Sequence, residues 1–382
     1  MTVAPGSARG NEIMVEDRRT LRRRWLRGVA LATVATLAGC GGGGSGGTDT
    51  GVAIVLGTPT PSPPSTPTPP PAPAPTAEQL EDQRSNAAVA ANADAAYRAG
   101  ATGRGVKIAI IDSGITPGLT EFSGRIDPAS ADMAGTRGLA DGSGHGTFMA
   151  SIALAARDGR GMHGVAYDAT LVSFNVSNPA TCTSMERCTI MGPPLIAAID
   201  AAIAAKVRVI NMSLAGNQTY EVLVAAVRRA AAAGIVTVIS AGNNEEGGRE
   251  PLVMPRSFVQ EAPGWVIIAG GHDAAGGFDY RNANQAGTGP SAAYYLTALS
   301  RDVNMTDRNG SLVTNGGTSP AAAAISGAVA LVAQARPDLT GAQIVALLLG
   351  NATDAGAPGR DPVYGNGILN LSTTFAALPP AG

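Results

Sequence analysis

The stretch VKIAIIDSGI (residues 106–115) decides the fold. Its first six residues are β-branched or apolar apart from one lysine, which is typical of a buried parallel strand. Similar runs recur at 171–176, 207–212, 235–239 and 265–269. Helical patterns lie at 146–156, 194–206, 220–233, 321–335 and 341–349. This alternation predicts an α/β fold with a mainly parallel central sheet covered by helices on both faces. Functional residues are expected at the carboxyl ends of the strands.

The composition limits the classes of protein. The chain has 382 residues, a net charge of −2 and 45% hydrophobic residues, which is enough to bury a large core. The near-neutral balance gives no basic field for binding nucleic acid. Three cysteines are too few for a disulfide-rich scaffold or a four-cysteine zinc site.

The N-terminus has the pattern of an export signal. Residues 1–27 contain seven Arg and three acidic residues, and an apolar run follows at 28–39. A basic segment followed by an apolar run and small residues predicts a signal peptide over 1–39. The last residues, Leu37-Ala38-Gly39-Cys40, resemble the lipobox of bacterial lipoproteins, which implies lipidation at Cys40. An ordinary cleaved signal is the alternative.

A linker is predicted at 40–76. Its first part, 41–47, is nearly all glycine, and ten prolines lie within 58–76. The proline-rich part favours extended polyproline II and spans roughly 60 Å if straight. The linker is interpreted as a tether for a domain at 77–378, followed by a short tail at 379–382.

Four polar residues lie where this architecture puts chemistry. Asp112 ends the first strand, His145 stands at a helix start in DGSGHGT, Asn243 closes a strand, and Ser319 follows glycines before an Ala-rich helix. Each has a structural alternative: an Asx cap for Asp112, a turn residue for Asn243 and a plain N-cap for Ser319. The glycines also suit a nucleophile that a substrate backbone must approach, and the helix start could stabilise an oxyanion.

In the order Asp, His, Asn, Ser, these residues resemble those of the subtilisin-like serine peptidases. The resemblance rests on the segments IAIIDSGI (108–115), DGSGHGTFMASI (141–152), HGVAYDATL (163–171), VINMSLAG (209–216), VTVISAGNN (236–244) and NGGTSPAAAAISGAVALV (315–332). The sequence looks most like the peptidase domains of bacterial subtilisin-like autotransporters, here expected as a lipoprotein without their barrel.

The resemblance implies a role for each residue. Ser319 is the nucleophile, His145 the general base and Asp112 the residue that orients His145, an order already known for the family. Asn243 and the backbone N–H of Ser319 are implied to bind the oxyanion. Five positions depart from the usual family pattern. Phe148 replaces His, Pro320 replaces Met or Phe, Ala323 and Ala324 replace a Pro-His pair, and Ala215 replaces Gly.

The resemblance also implies the walls of a substrate pocket, which are small and mostly apolar. They are Ser213, Leu214, Ala215, Gly216, Ser240, Ala241 and Gly242. Walls of this kind favour a sizeable apolar side chain of the substrate.

The remaining cysteines and histidines receive other roles. Cys182 and Cys188 flank a short polar loop, and a disulfide between them is expected outside the cytosol. His163 and His272 are interpreted as structural or surface groups. No cofactor is predicted; the resemblance allows calcium, but no acidic cluster in the sequence identifies a site for it.

The sequence therefore predicts a serine endopeptidase, tethered to a bacterial membrane by a lipid at Cys40 and facing outside the cytoplasm. Its partners would be protein or peptide substrates, without nucleic acid, and the domain would be monomeric. A catalytically inactive relative that binds peptides is the alternative. A serine-carboxyl peptidase is disfavoured because His145 stands where that chemistry uses Glu, and an esterase because no Gly-x-Ser-x-Gly motif surrounds Ser319.

Overall fold

The computed structural model describes residues 74–244 and 248–380, together with the backbone of a short strand at 12–14. Apart from that strand, the predicted signal peptide, Cys40 and most of the linker lie outside the described residues. The strands are β1 (Glu12–Met14), β2 (Lys107–Asp112), β3 (Ala131–Asp132), β4 (Thr170–Asn175), β5 (Thr189–Met191), β6 (Val209–Met212), β7 (Val236–Ser240), β8 (Val266–His272), β9 (Tyr295–Leu299), β10 (Val303–Thr306) and β11 (Leu312–Asn315).

The helices alternate with these strands over most of the chain. They are α1 (Ala77–Arg84), α2 (Asn86–Ala90), α3 (Asp94–Arg98), α4 (His145–Leu154), α5 (Gly192–Ala204), α6 (Glu221–Ala232), α7 (Val253–Glu261), α8 (Thr318–Ala335), α9 (Gly341–Gly350) and α10 (Leu371–Ala376). Short 3₁₀ turns lie at Thr120–Phe122, Met185–Arg187 and Pro290–Tyr294.

Seven parallel strands form the central sheet, in the order β3-β4-β2-β6-β7-β8-β9. The predicted α/β class is confirmed. The strand predicted at 106–111 is observed as β2, one residue later, so that it ends at Asp112 itself. Strand β9, helix α7 and the antiparallel hairpin of β10 and β11 were not predicted.

The sheet buries both of its faces. In β2, Ile108 and Ile110 belong to the core cluster that contains α4 and α8, whereas Ala109 and Ile111 belong to the cluster that contains α5, α6 and α7. Successive residues of a strand point to opposite faces, so a strand buried on both sides must be apolar at nearly every position. This explains the unbroken apolar runs in the sequence.

Helix α8 is the central helix of the first cluster. Its 18 residues are long and apolar enough to cross a membrane by length and composition alone, but 89% of them are buried inside the fold. Small residues allow close packing: a Cβ added at Gly327 would lie 2.7 Å from Cβ of Val165. The apolar composition of α8 is therefore that of a core helix.

Helix α1 is held against the loop after α4 by buried polar groups. Both carboxylate oxygens of Glu81 accept backbone N–H groups, from Asp158 at 3.0 Å and from Gly159 at 2.8 Å. His163 is 3% exposed, and its Nε2 atom lies 3.2 Å from Asp82 of α1. His163 therefore has a structural position away from the polar residues at the strand ends.

The carboxyl group of Glu121 lies in the same region and is only 6% exposed. Its Oε2 atom has no hydrogen-bond partner among the described residues, and Oε1 lies 3.4 Å from the hydroxyl of Thr306. Burial, with a further contribution from the charge of Asp158, raises the pKa of Glu121 to about 7.

Replacement of Glu121 by Gln tests this buried carboxyl. Because the pKa of Glu121 is higher in the folded state than in the unfolded state, the protonated carboxyl stabilises the fold at low pH. This stabilisation is lost as the pH rises from 4.5 to about 7. Glu121→Gln stays neutral, so we expect it to melt several degrees above wild type at about pH 8, with the difference vanishing towards pH 4.5.

The matched control is Glu78→Gln, because Glu78 is exposed. Thermal unfolding followed by circular dichroism measures both variants. A Glu121→Gln melting temperature that stays below that of wild type at about pH 8 would contradict the assignment.

Candidate active site

Asp112 and His145 meet at the carboxyl end of β2. Nδ1 of His145 lies 2.9 Å from each carboxylate oxygen of Asp112, and the two residues are 6% and 1% exposed respectively. Oδ1 of Asp112 also accepts the backbone N–H of Ser113 at 2.7 Å, so the Asx-type contact and the contact with His145 coexist. A carboxylate beside Nδ1 favours the neutral tautomer that keeps its proton there and leaves Nε2 as the basic nitrogen.

Glycines allow this contact. A Cβ at Gly146 would lie 2.0 Å from the carbonyl oxygen of Gly114, so only glycine lets the first turn of α4 reach the turn after β2. Gly114 has φ +100°, a left-handed conformation that glycine adopts without strain. Direct packing of these two backbone turns therefore places the imidazole beside Asp112.

Ser319 is the second residue of α8. Its hydroxyl donates to the carbonyl of Ser213 at 3.2 Å, and the hydroxyl of Ser213 donates to the carbonyl of Ser319 at 2.9 Å. Gly317, with φ +134°, precedes the helix, which has no side-chain cap. Ser319 is therefore inside the first turn and is not the N-cap that the alternative interpretation required.

Asn243 lies beyond the end of β7 with its side chain fixed. Its Oδ1 atom accepts both the backbone N–H and the hydroxyl of Thr318, each at 2.8 Å. Because Oδ1 accepts these two bonds, the Nδ2 group of the amide remains as the donor. A Cβ added at Gly317 would lie 3.4 Å from Nδ2. Its donors therefore lie beside the turn that leads into Ser319.

One cavity brings the three polar residues together. His145, Asn243 and Ser319 all line it, with Asn315 and Gly316. Its other lining residues are apolar: Phe148, Met149, Met185, Met305 and Pro320. The two departures Phe148 and Pro320 thus make part of its wall apolar.

Of the residues assigned to the substrate pocket, Ser213 bonds to Ser319 and Gly242 bonds to Thr318 at the start of α8. Ser213, Leu214, Ser240 and Ala241 are buried, whereas Ala215 and Gly216 are half-buried. The backbone N–H of Gly242 donates to the hydroxyl of Thr318 at 3.3 Å.

A disulfide-closed loop borders the segment before His145. Cys182 and Cys188 are bonded, and the 3₁₀ turn between them carries Met185 to the cavity. A Cβ at Gly142 would lie 2.3 Å from the carbonyl oxygen of Cys182. The sequence did not identify Met185, because the path of a long loop depends on tertiary contacts rather than on local pattern.

Two charged residues near the site were also missed. Asp141 is 8% exposed at the start of α4; burial raises its pKa, and hydrogen bonds from Thr147, Ser113 and Gly144 act in the opposite direction. Arg308, on the unpredicted hairpin, donates from Nη1 to the carbonyls of Asp141 at 3.1 Å and Gly142 at 3.2 Å.

The described residues contain no side-chain cluster of the kind that would identify a calcium site. Between residues 74 and 380, apart from 245–247, no group of three or more His, Cys, Asp or Glu side chains is arranged to hold a metal. Glu81 and Asp158 both influence Glu121 electrostatically, but the oxygens of Glu81 accept backbone N–H groups, as described above. The calcium allowed by the resemblance therefore has no assigned ligands in this part of the chain.

Comparison with known proteins gives a consistent match. Residues 103–367 match the Subtilase family. Subtilisin E of Bacillus subtilis (strain 168) is 30% identical over 281 residues, which cover 73% of this chain and 68% of the relative. The minor extracellular protease Epr of the same organism is 28% identical over 274 residues, covering 72% of this chain and 39% of the relative.

An extracellular serine protease of Serratia marcescens is 26% identical over 348 residues, covering 74% of this chain and 32% of that protein. The matched region of this chain thus spans less than two fifths of Epr and of the Serratia protease.

Proposed function

The chain belongs to the subtilase family, and on that premise we propose that it is a serine endopeptidase whose active site is the cavity at the starts of α4 and α8. The observation that carries the proposal is the contact of His145 with Asp112 beside a cavity that Ser319 and Asn243 also line. Peptide bonds of protein or peptide substrates are the proposed target.

The proposed reaction begins with proton transfer from Ser319. A serine hydroxyl is a weak nucleophile at neutral pH, so a base must take its proton as the oxygen attacks the substrate carbonyl. Nε2 of His145 accepts that proton and later gives it to the leaving amine. The carboxylate of Asp112 holds the ring by Nδ1 and stabilises the imidazolium that forms. Water then hydrolyses the acyl-enzyme by the same sequence of proton transfers. No step needs a cofactor.

The attack places negative charge on the substrate oxygen. The backbone N–H of Ser319, in the first turn of α8, has no intrahelical acceptor and carries the positive end of the helix dipole. The amide Nδ2 of Asn243 is the second proposed donor, and Thr318 fixes its direction by occupying Oδ1. Donors that are already oriented stabilise the oxyanion without rearranging during the reaction.

The main alternative is a peptide-binding protein that does not cleave its ligand. The complete set of Asp112, His145, Asn243 and Ser319 favours catalysis, because peptide binding alone gives no reason to keep a buried carboxylate on the imidazole. A location outside the cytoplasm agrees with the printed names of two relatives, which describe extracellular proteases. The lipobox-like segment supports anchoring at Cys40.

Covalent labelling tests the nucleophile. If His145 activates Ser319, a fluorophosphonate probe at about pH 8 should label the full chain at Ser319, and Ser319→Ala should abolish the labelling. His145→Ala should reduce the labelling nearly as far, because base and nucleophile act as a unit. Ser311→Ala, at an exposed serine of the hairpin, is the matched control and should label normally. A folded wild-type chain that takes up no probe would favour the peptide-binding alternative.

Kinetics of Asn243→Ala test the oxyanion role. Losing one donor should lower kcat by about 10²–10³ with little change in KM, a magnitude measured in a subtilisin. Asn244→Ala is the control, because it removes the neighbouring amide side chain and keeps the backbone N–H that Asn244 donates to Asn284. Its kcat should stay within a few-fold of wild type. Equal kcat in wild type and Asn243→Ala would contradict the oxyanion role and favour the interpretation of Asn243 as a turn residue.

Replacement of Cys40 tests the tether. Several acyl chains anchor a lipoprotein stably, so Cys40→Ala should move the chain from the membrane fraction to the soluble fraction. Mass spectrometry of the mature N-terminus measures the modification directly. An unmodified cysteine at this position would rule out the anchor.

A further inference from the structure

Asp141 is a buried carboxylate that accepts five hydrogen bonds at the start of the helix carrying His145. Oδ1 accepts the hydroxyl of Ser113 at 2.8 Å and the backbone N–H groups of Ser143 at 3.1 Å and Gly144 at 2.7 Å. Oδ2 accepts the backbone N–H of Thr147 at 2.8 Å and its hydroxyl at 2.7 Å. An ionised carboxylate is only an acceptor, so all five groups must point their protons at it.

The carboxylate also sets the direction of the next hydrogen bonds. Because Ser113 donates to Asp141, its oxygen is left to accept, and it receives the hydroxyl of Ser143 at 2.8 Å and the backbone N–H of Gly146 at 3.0 Å. The oxygen of Ser143 in turn accepts the backbone N–H of His145 at 3.1 Å. Ser113 directly follows Asp112, so this chain of bonds joins the backbones of the two catalytic residues.

A cation also holds this segment. Arg308 donates to the carbonyls of Asp141 and Gly142, and its Nε atom lies 3.4 Å from the position of a Cβ at Gly144. Two charged groups contact this part of the chain: Arg308, through these two carbonyls, and Asp112, through the imidazole of His145. The segment before His145 is thus held by a carboxylate that accepts its N–H groups and by a guanidinium that donates to its carbonyls.

We propose that Asp141 is a positioning residue of the active site, which holds His145 in register with Asp112 through Ser113. The proposal rests on the proposed peptidase function and adds a residue to which no role had been given. Its carboxylate contributes to the rate by preorganisation, because a general base must keep its place within a fraction of an ångström for proton transfer to be fast. A negative charge at this end of α4 favours the imidazolium form of a nearby histidine.

The test measures the rate of fluorophosphonate labelling of the full chain between about pH 6 and pH 9. Ser113→Ala removes the link and leaves the carboxylate, and Asp141→Asn removes the charge and turns one acceptor into a donor. We expect both variants to label about ten- to a hundredfold more slowly than wild type at a temperature where all are folded. In Asp141→Asn the midpoint of the pH profile should also move to lower pH, because imidazolium loses a stabilising charge.

Asp132→Asn is the matched control. Asp132 also accepts several hydrogen bonds, from Arg137 and from the backbone of Ala134, but it lies at β3 and outside the catalytic residues. Its loss should lower the melting temperature and leave the labelling rate and pH midpoint unchanged.

The outcomes separate the two proposals. Wild-type labelling at Ser319 with an equal rate and midpoint in Ser113→Ala and Asp141→Asn overturns the positioning role alone. If Asp141→Asn does not fold, the rate of Ser113→Ala decides. A folded wild-type chain that does not label overturns the peptidase function and the positioning role with it.

Discussion

The first turn of α4 lies directly against the turn that follows β2, because Gly146 and Gly114 leave no side chain between them. The backbone of Gly114 in turn lies close to the carbonyls of Leu139 and Ala140, so three segments of chain converge within van der Waals contact. Any side chain at Gly146 would force α4 away from the sheet. The 2.9 Å contacts between His145 and Asp112 depend on this convergence.

Two helices begin at the same cavity, and their dipoles create an electrostatic conflict. The starts of α4 and α8 carry partial positive charge, which favours a developing oxyanion but disfavours an imidazolium. Asp112 and Asp141 provide negative charge on the side of α4, whereas the start of α8 has no acidic residue in its first turn. The fold thus separates the two requirements: carboxylates lie beside the proposed base, and N–H donors lie beside the proposed nucleophile.

Local patterns in the sequence were sufficient to predict much of this architecture. The apolar runs of a sheet buried on both faces predicted the strands β2, β4, β6, β7 and β8, and the glycine-flanked Asp, His and Ser pointed to the ends of those strands. Asp141 lies in the same DGSGHGT motif as His145 and received no role. Four of its five donor groups are local, on Ser143, Gly144 and Thr147, but the link to Asp112 runs through Ser113, which only the fold brings near.

The other misses share a physical cause. Met185 reaches the cavity from a loop. Arg308 reaches the segment before His145 from a hairpin whose second strand, β11, is not a fully buried apolar run. The docking of α1 relies on Glu81, whose sequence context is that of an exposed polar helix. Contacts between segments distant in the chain leave no periodic signal in either segment.

The position of α8 has a consequence for the order of folding. This helix contacts β2, β6, β7, β8 and β9, yet it is among the last large elements along the chain. Until it docks, the face of the sheet that it covers has no partner, and such non-local pairing is slow to form. Ser319 is carried in on the first turn of that same helix. The step that closes the core is therefore also the step that brings the proposed nucleophile to the proposed base.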